Sequence, residues 1–310
     1  MINNLLTIAI PVYERYDYFK EAISSCLEQT VSINIIVVDN NSSHTRFRDF
    51  VSELQRANVK YFKNSSNVGM VENWNRCIEL CETEWVSILH DDDWLHPQFA
   101  EAVLAQIHNK IDADCITVNC GIETAKSDSF IKYNIENAPK YINKYTSYMM
   151  ISSFSFFPGV AFKVSLAQKI NGFDPSAYPI ADYDFWVRIS RQTKVAQIFY
   201  LLAFYRISSL QTTSSASKLI IKTVYRYKKK RSKGENIITR FFSTYDTFWL
   251  YQFYKSFNFV NNINEIDDKN LQKEYKLYSH LFDNPLLKRI FSKLYLKYKH
   301  SLLSEVKYKH

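Results

Sequence analysis

Three carboxylates stand side by side at Asp91, Asp92 and Asp93, directly after the apolar run Val86-Ser87-Ile88-Leu89 and a histidine, His90. Adjacent acids repel one another and are costly to bury. A divalent cation offsets that cost, and hard oxygen donors suit Mg2+ or Mn2+. The competing explanation is a solvated acidic loop leading into a helix N-terminus, where the dipole favours carboxylates. A second pair of acids, Asp182 and Asp184, opens a segment that carries Phe185, Trp186 and Ile189. A carboxylate there can take a proton from a hydroxyl as that hydroxyl attacks an electrophilic carbon, or it can simply cap a helix. Tyr13 and Asp39 form a third group. A tyrosine ring can stack on a nucleobase and a carboxylate can accept from a base edge; the plainer readings are a packing aromatic and a turn cap.

The elements around these residues say how they would be positioned. Leu6 to Tyr13 reads as a buried strand ending at Pro11, and Ile33 to Val38 as a second strand, apolar on both faces. Val59 to Phe62 and Val86 to Leu89 read as further strands, and Asp114 to Asn119 as another. Between them, Tyr16 to Leu27, Arg46 to Ala57, Met70 to Cys81 and Phe99 to Ile107 have helical spacing. Residues 121–147 read as excursion loops or a short hairpin, Phe154 to Phe162 as a β-prone aromatic run, Lys163 to Ile170 as a helix, and Gln197 to Tyr205 as a return strand ending at Arg206. Alternation of this kind predicts an α/β fold with a mostly parallel sheet flanked by helices. Ligands bind such sheets at the carboxyl ends of the strands, and Tyr13, Asp39 and Asp91 to Asp93 all fall there. No Gly-x-Gly-x-x-Gly follows the first strand and no Walker-type loop is present, which argues against a dinucleotide site or a P-loop.

Order and spacing together carry a resemblance. Thr7-Ile8-Ala9-Ile10-Pro11-Val12-Tyr13, Ile36-Val37-Val38-Asp39-Asn40-Asn41-Ser42, Asn67-Val68-Gly69 with Asn73 and Asn75, Leu89-His90-Asp91-Asp92-Asp93-Trp94-Leu95, Gly172-Phe173-Asp174 and Asp182-Tyr183-Asp184-Phe185-Trp186-Val187-Arg188 follow in sequence. Each is weak alone, but six in this order are specific. Over residues 5 to about 208 the chain resembles the family 2 glycosyltransferases, inverting enzymes with the GT-A nucleotide-sugar fold. The resemblance implies that Pro11, Tyr13 and Glu14 lie along the nucleotide and that Asp39 reads the uracil edge. It implies that Asn67, Gly69 and Asn73 line nucleotide and ribose, with Asp91 beside them and Asp92 or Asp93 holding the Mn2+ or Mg2+ that bridges the phosphates. Asp182 is implied as the catalytic base, Asp184, Trp186 and Arg188 as acceptor-binding residues, and Arg206 as a cation near the departing diphosphate. Two positions depart from the pattern: His90 stands where the family often has the first metal-motif acid, and Ala181 where it has the Glu of a Glu-Asp pair. The implied reaction moves a hexose or N-acetylhexosamine from a UDP-sugar to a saccharide hydroxyl. The alternatives are a non-catalytic scaffold on the same fold and a sugar nucleotidyltransferase; the latter would want a Gly-rich basic loop after the first strand.

Composition divides the chain at about residue 215 into a catalytic part (1–215) and a basic, aromatic-rich helical extension (216–310). Residues 218–310 hold 20 Lys and Arg against 8 Asp and Glu, within a chain of net charge +8. Near the end, Leu287, Ile290, Phe291, Leu294, Tyr295 and Tyr298 form an apolar face flanked by Lys288, Arg289, Lys293 and Lys297. A basic amphipathic helix of this kind suits an anionic membrane surface, or it packs on the catalytic part. A membrane partner points to a lipid-linked acceptor, such as a saccharide on undecaprenyl diphosphate, in O-antigen or capsule synthesis. No nucleic-acid-binding module is recognisable, so nucleic acid is not an expected partner. No apolar run approaches the ~20 residues that span a bilayer and the N-terminus lacks signal-peptide character. The expectation is a cytoplasmic protein, peripheral on the inner face of the membrane.

Overall fold

The computed structural model describes residues 3–123, 130–137, 140–143, 157–207, 212–282, 284–301 and 303–305. Strands β1 (Asn3–Val12), β2 (Ile33–Asp39), β3 (Val59–Lys63) and β4 (Trp85–Ile88) alternate with helices α1 (Tyr16–Leu27), α2 (Arg46–Leu54) and α3 (Met70–Glu79). They form the parallel part of the sheet, in the order β4-β1-β2-β3. Side-chain alternation along β1 feeds both layers. Ile8 and Ile10 join Phe19, Val37, Phe47 and Phe99 on one side, while Ala9 joins Val38, Trp74 and Phe162 on the other. A strand buried on both faces is therefore apolar along most of its length, as Leu5 to Val12 is apart from Thr7. Pro11 is accommodated because Ala9 O accepts from Leu89 N at 2.9 Å, so alternate residues of β1 face β4. Pro11, two residues on, faces the same way beyond the last β1–β4 pair, Ala9 with Ile88, where no ladder donor is needed.

Beyond β4 the sheet becomes mixed. Its remaining strands are β5 (Trp94–Leu95), β6 (Cys115–Glu123), β7 (Lys140–Asn143), β8 (Val160–Lys163), β9 (Val195–Arg206) and β10 (Leu303–Glu305). The order is β10-β7-β9-β6-β8-β4-β1-β2-β3, with β5 against β9. β6 and β9 run parallel, but β8 is antiparallel to both β4 and β6. The expected parallel sheet thus holds for the first four strands, where each crossover is a helix. It gives way at β8, which inserts antiparallel between β4 and β6. Part of the expected 121–147 excursion and residues 154–156 of the aromatic run lie outside the described residues.

Helices α4 (Phe99–His108), α5 (Val164–Lys169) and α6 (Ala181–Ser190) pack on the sheet, followed by α7 (Thr212–Arg231), α8 (Ile237–Ser256), α9 (Lys269–Phe282) and α10 (Pro285–Ser301). One buried cluster contains Phe185 and Trp186 of α6 together with Ile221 and Val224 of α7, Leu250, Tyr251 and Tyr254 of α8, and Leu271 of α9. The helices after residue 212 therefore share a core with α6. Lys228 and Asp246 form a buried ion pair between α7 and α8 at 2.5 Å, and Tyr295 of α10 donates to the same carboxylate. Among the described residues no helix is long and apolar enough to cross a membrane.

Candidate active site

The carboxyl ends of β1, β2 and β4 are neighbours, and their loops form one rim. Val12 and Asp39 are in register, so Tyr13 and Asn40 leave the sheet side by side. Tyr13 is 44% exposed at this rim. Asp39 is fully buried. Its Oδ1 accepts from Ser42 N at 2.8 Å and Ser42 Oγ at 2.7 Å, and its Oδ2 from Tyr61 OH at 2.7 Å. Glu14 has φ +62°; its backbone N–H donates to Ser42 Oγ, and its carboxylate accepts from Ser43 N at 2.7 Å. These bonds tie the end of β1 to the turn after β2.

A set of asparagines fixes the next loop. Asn40 Nδ2 donates to Asn67 Oδ1 at 2.8 Å and to Gly69 O at 3.2 Å, and Asn40 Oδ1 accepts from Val68 N at 2.9 Å. Asn64 bridges Asn40 and Asn73, and Asn73 Nδ2 donates to Val38 O. Gly69 has φ +86°, a left-handed value that favours glycine at the N-cap of α3. Asn67, Gly69 and Asn73 are thus brought together with the end of β2. The sequence signals the linking residues Asn40 and Asn64 only through the recurrence of asparagines in two consecutive turns.

The acid triplet is more structured than a solvated loop. Asp91, Asp92 and Asp93 are all buried. Asp93 N donates to His90 O, closing a turn at the end of β4. Arg15, which had no expected role, donates to Asp91 and, at 2.8 Å, to Asp92 Oδ2. Burial opposes its charge, but the two acids outweigh that and raise its pKa. Arg206 is also buried. Its N–H donates to Asp93 Oδ1 at 2.9 Å, its Nε to Asp92 O at 2.8 Å, and its Nη2 to Glu21 at 2.6 Å. Its guanidinium lies 4.7 Å from the Trp94 ring centre. Arg206 therefore supports the triplet from behind. Burial pushes the Asp91 carboxyl up to about 7 against the pull of Arg15, and burial with the charge of Asp92 raises Asp93 well above the usual range. Such acids call for a cation. His90, Asp92 and Asp93 offer ligand atoms all within 4.8 Å of one another.

Asp182 lies in the first turn of α6, half-buried, with Tyr183 N donating to its Oδ1 at 2.7 Å. Burial lifts its carboxyl to about 6, partly opposed by that N–H. Tyr254 of α8 is close enough for the Asp182 charge to add to the burial that raises its own pKa. Asp184, Trp186 and Arg188, expected at the acceptor, have the contacts of packing residues. Asp184 is buried and accepts from Arg188 Nε at 2.6 Å and Tyr227 OH at 2.8 Å. The other two Arg188 nitrogens donate to Ile170 O and Gly172 O. Trp186 is 1% exposed. A run of rings connects this helix to the triplet. His90 touches Trp74 and Phe157, these touch Phe173, and Phe173 stacks on Phe185 at 3.9 Å. Asn75 clamps the Phe173 backbone in both directions, which sets α6 against α3.

The sequence profile of Glycosyl transferase family 2 matches residues 7–170. The chain belongs to this family. An uncharacterised glycosyltransferase of Rickettsia typhi is 28% identical over 215 residues, 68% of this chain and 67% of that protein. Chondroitin synthase of Escherichia coli is 26% identical over 189 residues, 60% of this chain and 26% of the synthase. Among solved structures, S. aureus TarS 1-349 in complex with UDP-GlcNAc aligns with a TM-score of 0.60 at 13% identity, covering 87% of this chain and 78% of that one. The mannosyltransferase PcManGT of Pyrobaculum calidifontis, in complex with GDP-Man and Mn2+, aligns with a TM-score of 0.55 at 14% identity, covering 96% and 86%. As a family 2 glycosyltransferase the chain is an enzyme that uses a nucleotide sugar, and its mixed α/β sheet with flanking helices is that of the GT-A fold.

Proposed function

We propose that residues 1–215 carry an inverting, metal-dependent hexosyltransferase. It moves a hexose or N-acetylhexosamine from a UDP-sugar to a hydroxyl of a lipid-linked saccharide in bacterial surface-polysaccharide synthesis. The observation that carries this reading is the buried triplet at the β4 end. Its charge is only partly met by Arg15, and it sits beside the exposed Tyr13 and the asparagine-pinned loop. The donor set fits a divalent cation: Asp93 Oδ2 is buried with no hydrogen-bond partner and adjoins Asp92. Mn2+ or Mg2+ held there by Asp92 and Asp93 would neutralise the charge that develops on the diphosphate.

The remaining steps belong to the chain's own residues. Tyr13 offers its ring to the base, and Pro11 and Glu14 shape the rim beneath it. Asp39 meets the uracil edge by exchanging one of its bonds with Ser42 or Tyr61. Asn67 and Gly69 face the ribose, Asn73 acts on it by holding their loop from beneath, and Asp91 holds Arg15 near the phosphates. Arg206 keeps Asp92 and Asp93 in place from behind. Asp182 takes the proton from the acceptor hydroxyl as that oxygen bonds to the anomeric carbon. The bond from that carbon to the phosphate oxygen breaks in the same step, and its electron pair leaves with UDP. Asp184, Trp186 and Arg188 bear on the acceptor by fixing the helix that carries Asp182.

The extension supports a membrane-facing role. Phe291 and Tyr295 of α10 turn inward onto Phe241 and Phe242. Leu286, Ile290 and Leu294, spaced four apart, stay 43–65% exposed beside Lys288, Arg289, Lys293 and Lys297. Burying those three side chains in an interface contributes up to about 1.5–3 kcal/mol each, and each nearby basic residue about 1 kcal/mol on an anionic surface. The test of the whole reading is incubation with a panel of UDP-sugars, a saccharide acceptor and Mn2+, followed by NMR of the product linkage. Transfer with inversion of the anomeric centre supports it. Retention contradicts it, and so does formation of a UDP-sugar and pyrophosphate in a parallel incubation with a sugar 1-phosphate and UTP.

A further inference from the structure

The triplet is preceded by an imidazole rather than by another acid, and the geometry gives that imidazole a job. His90 Nε2 is buried with no hydrogen-bond partner, and so is Asp93 Oδ2. Both belong to the group whose ligand atoms lie within 4.8 Å of one another, Asp92 being the third member. Atoms bound to one small divalent cation at about 2.1 Å can lie at most about 4.2 Å apart. Adjacent ligands of an octahedral ion sit only about 3 Å apart, so the set closes by inward rotation of these side chains. The ring is held for this purpose: Trp74 stacks on it at 5.2 Å and 21°, and Phe157 lies 4.2 Å away on centroids. Two aromatic walls fix the plane of the imidazole as a hydrogen bond to the remote nitrogen usually does for a metal-bound histidine. The surrounding cations bond to the acids of the triplet. Arg15 is engaged by Asp91 and by Asp92 Oδ2, and Arg206 donates its backbone N–H to the other oxygen of Asp93.

We infer that His90 is a nitrogen ligand of the cation site. The site is then an imidazole–carboxylate–carboxylate set that favours Mn2+ over Mg2+. Imidazole suits transition ions, whereas Mg2+ takes oxygen donors and gives up its water reluctantly. This inference rests on the metal-dependent reading above and adds a ligand and a metal preference to it.

The test is pulsed EPR of the full chain with Mn2+ and UDP, paired with Mn2+ and Mg2+ affinities from calorimetry. Expected is 14N modulation on the Mn2+ signal that changes when the histidines alone carry 15N, with Mn2+ bound at least about tenfold more tightly than Mg2+. His90→Asp should keep Mn2+ binding, abolish the nitrogen modulation and narrow the preference for Mn2+ over Mg2+. If the variant does not fold, the isotope exchange in the unaltered protein still decides. Mn2+ binding without histidine nitrogen coupling overturns the His90 assignment and leaves the metal-dependent reading standing. Failure of Mn2+ to bind with UDP overturns both.

Discussion

Replacing Asp182 by Asn should weaken the enzyme and strengthen the fold at the same time. The carboxyl is lifted by burial from 3.8 to about 6. For an acid with a raised folded pKa, the folded state holds the proton more tightly than the unfolded one. The destabilising effect of the charge is therefore absent below about pH 4 and complete above about pH 6. Two units correspond to about 3 kcal/mol as an upper limit. Asn keeps an oxygen to accept from Tyr183 N, which now bonds Asp182 Oδ1 at 2.7 Å, and carries no charge to desolvate. For 310 residues, an unfolding entropy of about 2.1 cal/mol/K per residue makes each kcal/mol worth about 1.5 °C. The variant should then unfold up to about 4 °C higher at pH 7.5, with no gain at pH 4. Loss of the base should cut turnover by about 10²–10⁴, and the unaltered enzyme should lose activity as pH falls through about 6. The assays are calorimetry at the two pH values and UDP release under saturating donor. Turnover within tenfold of the unaltered enzyme would place the base elsewhere. A lower midpoint at pH 7.5 would mean that Asp182 is not held at a cost.

Three further outcomes are expected. Arg15→Gln leaves Asp91 and Asp92 without their guanidinium; discounted for its part-exposed position, the metal-free protein should lose about 1–2 kcal/mol, and Mn2+ should raise its midpoint more than it raises that of the unaltered chain. Lys228→Met strands the charge of Asp246 in the core beneath α6 and should cost about 3–5 kcal/mol in urea unfolding; a change below 1 kcal/mol would show that the buried pair does not hold α7 to α8. Leu286→Ser, Ile290→Ser and Leu294→Ser together should sharply weaken co-sedimentation with vesicles containing anionic lipid, with only a small drop in the unfolding midpoint because these side chains are about half exposed or more; equal sedimentation by the triple variant would sink the membrane role.

Local pattern made much of the fold readable. Ile33 to Val38 is an apolar run because β2 is buried on both faces, and the turn residues Asp39 to Ser43 mark its end. The strand ends that form the rim were legible for the same reason. Direction and depth were not. The antiparallel pairing of β8 with β4 and β6 joins segments far apart in the chain, and no local period encodes it. Tyr251 and Tyr254 fall within the basic extension and complete the core against α6. Arg15 reads as an ordinary charged residue at a helix start until β4, some 77 positions away, brings Asp92 to it. Asp184 and Arg188 were expected at the acceptor; the structure pairs them with each other and adds the Tyr227 hydroxyl, 43 positions on, a contact that no local pattern encodes.

The most direct test of the account is thermal unfolding of the full chain with UDP, with and without Mn2+. Saturation at a hundredfold the dissociation constant adds about 2.7 kcal/mol, which is about 4 °C in a chain of 310 residues. The midpoint should rise by that amount with UDP and Mn2+ together and less with UDP alone, and the metal-dependent part should be lost in Asp93→Asn. An unchanged midpoint with UDP and Mn2+ would contradict it.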